Sequence, residues 1–107
     1  MNLEEQSKQI EISIEQAEKQ VKRAESLEKL FKNRDFKMLI EEGYLKEYPL
    51  SQLRQPQTED IVKELDSIAR FNLWIGSVFA LGNQASNAIK QHEQELKYIE
   101  EEEEGSI

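Results

Sequence analysis

Few residues in this 107-residue chain could move a proton, hold a metal or attack a carbonyl. His92 is the only histidine, and Glu93 follows it. On a helix, His-Glu-x-x-His places two imidazoles on one face to bind zinc, with the glutamate as general base. Here position 96 is Leu96, so the second ligand is missing. There is no cysteine either, which leaves no thiolate for a metal or a disulfide. His92 therefore reads as a surface helix residue. Serines such as Ser26 and Ser51 have no base beside them in sequence, and no glycine-rich phosphate loop is present. No catalytic, metal-binding or cofactor-binding residue is predicted, and the chain reads as non-enzymatic.

Two charged stretches suggest binding instead. Lys19, Lys22, Arg23, Lys29, Lys32, Arg34 and Lys37 form a basic stretch, diluted by Glu25, Glu28 and Asp35. A phosphate contact is conceivable there, but no aromatic residues are interleaved to stack on bases. A solvated face, or a partner for the acidic second half, is the simpler expectation. Glu100 to Glu104 is an unbroken acidic run. Net charge is −8 and uneven. Residues 1–57 carry ten basic and eleven acidic side chains, whereas residues 58–107 carry four and eleven. The second half would repel phosphates, which disfavours nucleic acid as a partner.

The elements that must carry these residues are helical. Charged residues make up 34% of the chain and apolar ones 37%, with four Gly and two Pro, a composition of long helix. Leu3, Ser7, Ile10, Ile14, Ala17, Val21 and Ala24 alternate by four and three, as the a and d positions of a heptad do. Leu27, Leu30 and Phe31 then widen the apolar face. This predicts a first helix over 3–33. Asp35 is the expected cap of a short second helix carrying Phe36, Leu39 and Ile40, and Gly43 its expected stop. Tyr44, Leu45, Tyr48, Leu50 and Leu53 form another small apolar group, in which Pro49 opens or kinks a helix. Gln55-Pro-Gln57 reads as a linker. Thr58 is the expected cap of a last helix over 58–100. Its seam is predicted along Ile61, Leu65, Ile68, Asn72, Ile75, Phe79, Gly82, Ser86, Ile89 and Leu96. Residues 101–107 read as an acidic frayed tail, because negative charge is unfavourable at a helix C-terminus.

The predicted fold is all-α and a single domain. Two long antiparallel helices form a coiled-coil-like hairpin, joined by a short helical elbow over 34–57. The N-terminus lacks the apolar run of a signal peptide. The apolar run 68–81 is shorter than the ~20 residues that span a bilayer, and Arg70 and Asn72 interrupt it. A soluble protein with no membrane partner is expected.

That run, from Ile68 to Leu81, is apolar at ten of fourteen positions and nearly all the way round the helix. One partner helix covers one stripe, so the excess points to a second partner. Gly76, Ser77, Ala80, Gly82, Ala85, Ser86 and Ala88 suggest close helix approach, since each Gly costs ~1 kcal/mol in a helix interior. Asn72 on the seam either fixes register or faces water. Trp74 and Phe71 lie off the seam, so one or both stand exposed unless Trp74 packs under the elbow against Tyr44, Leu45 or Tyr48. Phe71, Asn72, Trp74, Ile75, Val78 and Phe79 are the predicted interface.

The segment from Ile10 to Ala17, the run Leu27-Glu-Lys-Leu-Phe-Lys-Asn-Arg-Asp-Phe-Lys-Met-Leu-Ile-Glu-Glu-Gly-Tyr44, Asp66-Ser-Ile-Ala-Arg-Phe71 and Gly82-Asn-Gln-Ala85 also carry a resemblance. Together with the acidic C-terminus they resemble small, mostly uncharacterised helical proteins of tailed bacteriophages. In those proteins a similar Asn-Arg-Asp-Phe and Gly-Tyr pair joins two helices. The likeness covers roughly residues 10–104, and departs from the family at Pro49 and around Trp74. It implies a phage protein of the virion or its assembly, in the host cytoplasm, the particle or both, with no cofactor. The expected function is protein–protein association, as a homo-oligomer or with other phage structural proteins. The alternatives are a small phage protein that binds and inhibits a host protein through its acidic helix and tail, and sequestration of a small ligand at a subunit interface.

Overall fold

The computed structural model describes residues 2–105. They are almost wholly helical, with no strand among the described residues. Two long helices, α1 (Leu3–Lys32) and α4 (Glu59–Gly105), are joined by a helical elbow. The elbow comprises α2 (Arg34–Phe36), a π-helical segment (Lys37–Glu47) and α3 (Tyr48–Leu53). This is the all-α arrangement expected from the heptad patterns. The chain divides into two compact units, Met1–Ala24 with Ala80–Ile107, and Glu25–Phe79.

In the first unit the start of α1 pairs antiparallel with the end of α4. Ile10 and Ile99 line one groove, and Ala24 meets Gly82. The α1 positions of the heptad, from Leu3 to Ala24, are buried or half-buried, Ala17 most of all. Facing them on α4 are Gly82, Ala85, Ile89, His92, Leu96 and Ile99, spaced three and four apart. A Cβ built on Gly82 would stand 2.4 Å from the Ala24 Cβ and 3.6 Å from the Gln20 carbonyl. Glycine here is a matter of space, because the two helices approach more closely than any side chain at 82 permits.

In the second unit the seam of α4 continues as Ile61, Glu64, Ile68, Phe71, Ile75 and Val78. Ile68 is only 2% exposed; burying such a side chain fully is worth ~2–3 kcal/mol. Phe31 meets Phe36 edge-on with ring centroids 5.1 Å apart, and Phe79 at 6.2 Å. Edge-to-face rings at such distances add to the area they bury.

Most of the predicted α4 seam therefore holds. Ile61, Leu65, Ile68, Ile75, Phe79, Gly82, Ile89 and Leu96 are buried or half-buried as expected, whereas Asn72 and Ser86 are exposed. Residues one place earlier than predicted, Val78 and Ala85, are buried as well. The reason is that adjacent positions, Phe71 beside Asn72 and Val78 beside Phe79, gave sequence pattern alone two registers to choose from. Asn72 thus faces water and fixes no register.

The elbow differs more. Asn33 caps α2, its side chain accepting from the Phe36 N–H at 3.0 Å; Asp35 lies inside the helix. Gly43 does not stop a helix. It sits inside the π-helical segment, whose wide turn is seen where the Tyr48 N–H donates to the Gly43 carbonyl. A Cβ on Gly43 would lie 3.2 Å from the Met38 carbonyl, so glycine suits this turn sterically. Pro49 lies in the first turn of α3, which follows the π-helical segment without a break. Thr58 does cap α4, its Oγ1 accepting from the Ile61 N–H at 3.3 Å.

The acidic run does not fray within the described residues. Helix α4 continues through Glu101–Glu104 to Gly105. Glutamate is a good helix former, and the buried Ile99 holds the preceding turn. Residues 106 and 107 of the predicted tail lie outside the described residues. No helix among the described residues is long and apolar enough to cross a membrane.

Candidate interaction surface

The second unit carries an aromatic ladder. Tyr48 stacks on Tyr44 with centroids 6.1 Å apart and planes 15° apart. Tyr44 meets Phe71 edge-on at 6.5 Å, and Phe71 stacks on Trp74 at 6.2 Å and 16°. The π-helical segment and α3 supply the tyrosines, and α4 supplies Phe71 and Trp74 three residues apart, on neighbouring positions of one face. The Tyr48 hydroxyl donates to the Glu64 carboxylate, one turn before Ile68 on α4. That acceptor, together with partial burial, raises the Tyr48 hydroxyl above its ordinary pKa. The ladder is thus pinned at its tyrosine end and open at its tryptophan end.

Of the six predicted interface residues, the structure brings only part to the surface. Trp74 is 57% exposed and Phe71 38%, and Asn72 is exposed beside them. Ile75 and Val78 are buried in the helix seam and Phe79 is half-buried against Phe31, so these three belong to the hairpin core. Phe71 has both roles: it occupies a seam position and contacts Tyr44, yet part of its ring reaches solvent. The expectation that Trp74 packs under the elbow holds only indirectly, through Phe71.

Sequence reading missed Leu73, which is 74% exposed, and Val62, at 52%. Val62, Ala69 and Gly76 recur every seven residues on the outward side of α4, with Leu73 between the last two, and all are exposed. A Cβ on Gly76 would meet nothing within 4 Å. Gly76 therefore makes no close approach inside the hairpin, unlike Gly82. A second signal was also available in the sequence: no residue between Arg70 and Lys90 is charged. In a chain that is 34% charged, so long a gap on a helix with a solvent-facing side calls for a reason beyond the core.

The other candidates resolve more plainly. The basic stretch is exposed throughout, and Lys32 pairs with Glu28 of its own helix at 3.1 Å. Lys63–Glu59 and Arg70–Asp66 are likewise exposed pairs within one helix, each worth only ~0.3–0.5 kcal/mol. His92 is not the surface residue expected; it is half-buried on the inner seam, its Nδ1 without a hydrogen-bond partner and 3.8 Å from a Glu95 carboxylate oxygen. The seam takes the residue three on from Ile89, which turns it inward. No cluster of metal-ligating side chains occurs among the described residues. In the first unit, Gln6, Gln9, Ile10, Ser13, Glu95, Tyr98, Ile99 and Glu102 border an open groove of about 480 Å³.

With this geometry in hand, comparison with protein-family models, curated proteins and solved structures finds no match to the chain.

Proposed function

We propose that this is a non-enzymatic protein of a tailed bacteriophage that acts by protein–protein association, with copies of itself and with other phage proteins, as a virion component or assembly factor. The observation that carries the reading is the outward face of α4 around Trp74. Leu73, Trp74 and part of Phe71 stand in solvent on a rigid helix, within a stretch free of charge. Trp is favoured at the energetic centre of interfaces, and a rigid helical scaffold limits the entropy cost of binding. The sequence resemblance to small phage proteins supplies the setting.

Sedimentation velocity across a concentration series up to tens of micromolar tests self-association. The expected result is a mass at least twice that of the chain, falling on dilution. A well-folded monomer throughout would overturn it. Mass spectrometry of purified particles then separates a virion component, which should be present, from an assembly factor, which should be lost on maturation.

A second reading, capture and inhibition of a host protein through the acidic end of α4, is favoured by one observation. Glu100–Glu104 are exposed on continuous helix, so they present a fixed array of carboxylates. Pull-down from host lysate, compared with a variant in which the five glutamates become glutamine, distinguishes it.

A further inference from the structure

The groove of the first unit has walls that repeat with helical spacing. Gln6, Gln9 and Ser13 stand on α1, and Glu95, Tyr98 and Glu102 on α4, each set spaced by three and then four. Between the walls lie Ile10, half-buried, and Ile99, buried. Edges spaced i, i+3 and i+7 on two packed helices are where a further helix seats, with the apolar residues between them as its floor.

The two walls differ in charge. On α4 the two carboxylates are seven residues apart, about 10.5 Å along the axis. On α1 the wall is polar and uncharged, and no Lys or Arg lines the groove among the described residues. Glu102 has no ion pair among the described residues, and Glu95 approaches only His92, at 3.8 Å. Glu100, Glu101 and Glu104, exposed nearby on the same helix, deepen the negative potential.

We propose that the groove seats a basic amphipathic helix of a partner protein. An apolar side chain of that helix covers Ile10, Ile99 and the Tyr98 ring, and two Lys or Arg seven residues apart face Glu95 and Glu102. The inference rests on the second reading above, capture through the acidic end of α4, and names the partner's chemistry. Charge selects this occupant. The same groove on a second copy would set carboxylates against carboxylates, and the phosphates of nucleic acid or lipid would be repelled likewise. Shape excludes a small polyamine, which would pair with the carboxylates but leave the isoleucine floor wet; small ligands take enclosed pockets, and this groove is open. Tyr98, 69% exposed, supplies the largest ring for a partner to cover and a hydroxyl at its rim.

The probe is a dye-labelled helical peptide of about three heptads, with a leucine stripe flanked by lysines seven residues apart. Its control carries glutamate in place of those lysines. By fluorescence anisotropy the wild type should bind the lysine peptide at least ten times more tightly than the control. Glu95→Gln with Glu102→Gln should weaken binding at least ten-fold. Glu100→Gln with Glu104→Gln makes the same charge change outside the groove and should weaken it less than two-fold. Glutamine is as good a helix former as glutamate, so both double variants should keep the wild-type circular dichroism. Tyr98→Ala, which leaves charge untouched, should weaken binding at least five-fold. Equal weakening by the two double variants would overturn the groove while leaving capture through the acidic end intact. Failure of the wild type to distinguish the two peptides, or full affinity in Tyr98→Ala, would also overturn it, and the lysate pull-down then decides the capture reading separately. Displacement of the peptide by spermidine at matching concentration would overturn a polypeptide occupant. A loss of self-association in Glu95→Gln with Glu102→Gln, read by sedimentation velocity, would make the occupant a second copy and overturn a foreign one.

Discussion

The two units differ at their tightest contacts. The first has its closest approach at small side chains, Gly82 against Ala24, with Ala17 and Ala85 buried among Ile10, Ile14, Ile89 and Ile99. The second packs on large ones, with Phe31, Phe36, Phe79, Ile68 and Ile75 filling the space. Close backbone packing leaves little apolar surface over, whereas a core of large residues on a helix apolar all round spills outward. Among the described residues, ten of the thirteen exposed large apolar side chains belong to the second unit, which is where an apolar partner should be sought. Tolerance to substitution should divide the same way: the first unit is sensitive to added volume, and the second to lost aromatic surface.

The largest effect should come from adding volume to the first unit. Gly82→Val places a branched side chain where even a Cβ would sit 2.4 Å from Ala24. Overpacking of this kind costs ~1–3 kcal/mol and β-branching adds no helix propensity to offset it. A loss of about 3 kcal/mol in urea unfolding is expected. If Gly82→Val melts like the wild type, the close approach of the two helices is wrong and the contrast between the units collapses.

Next in size are losses from the aromatic surface. Trp74→Ala and Phe71→Ala should each weaken association at least ten-fold, about 1.4 kcal/mol, by sedimentation equilibrium. Phe36→Ala should instead lower thermal stability with little effect on association, since Phe36 packs against Phe31 inside the unit. If all three variants merely unfold the chain, the ladder is core and the second unit offers no separate surface.

How much of this was legible in the sequence follows from the same contrast. The α1 seam was read correctly from Leu3 to Ala24 because polar residues flank each apolar one. On α4 the positions of Ile61, Leu65, Ile68, Ile75, Phe79 and Gly82 were legible, but those of Asn72 and Ser86 were not. Where Phe71 is followed by Asn72, the elbow decides which turns inward, since Tyr44 meets the Phe71 ring. His92 and Val78 were misplaced because the seam takes residues three on from Ile89 and Ile75, and Ile75 and Phe79, read both as seam and as interface, belong to the seam. The elbow was legible as helix but not as a π-helical turn, because Gly43 suits a C-cap as well as a tight contact with the Met38 carbonyl. Pro49 and Thr58 were read correctly because their backbone chemistry allows few roles.

A smaller effect, of opposite sign to that at Gly82, is expected at the other interior glycine of α4. Gly76 is exposed and helical, and its Cβ position is empty. Gly76→Ala should therefore stabilise the monomer by up to ~1 kcal/mol through helix propensity alone. Thermal melts run at a concentration low enough to keep the chain monomeric would measure it. A destabilised Gly76→Ala would mean that the outer side of α4 is already covered within one chain, and the division into a packed and an open glycine would fail.

The smallest effect tests how the ladder is anchored. Tyr48 donates to Glu64, which links the tyrosine end of the ladder to α4. The acceptor carboxylate, with partial burial, holds the Tyr48 hydroxyl above its ordinary value of about 10. A group raised in the folded state stabilises the fold in full below its unfolded pKa. It loses that contribution as pH rises through the folded value. Wild type should thus exceed Tyr48→Phe slightly in melting temperature at pH 7 to 9, and the difference should shrink towards zero above pH ~10 as the phenol ionises beside Glu64. Phenylalanine keeps the stack on Tyr44 and removes only the hydrogen bond, so Trp74-dependent association should be unchanged. A gap that widens with pH would show that the hydroxyl is stabilised as phenolate, and the anchor to Glu64 would have to be abandoned.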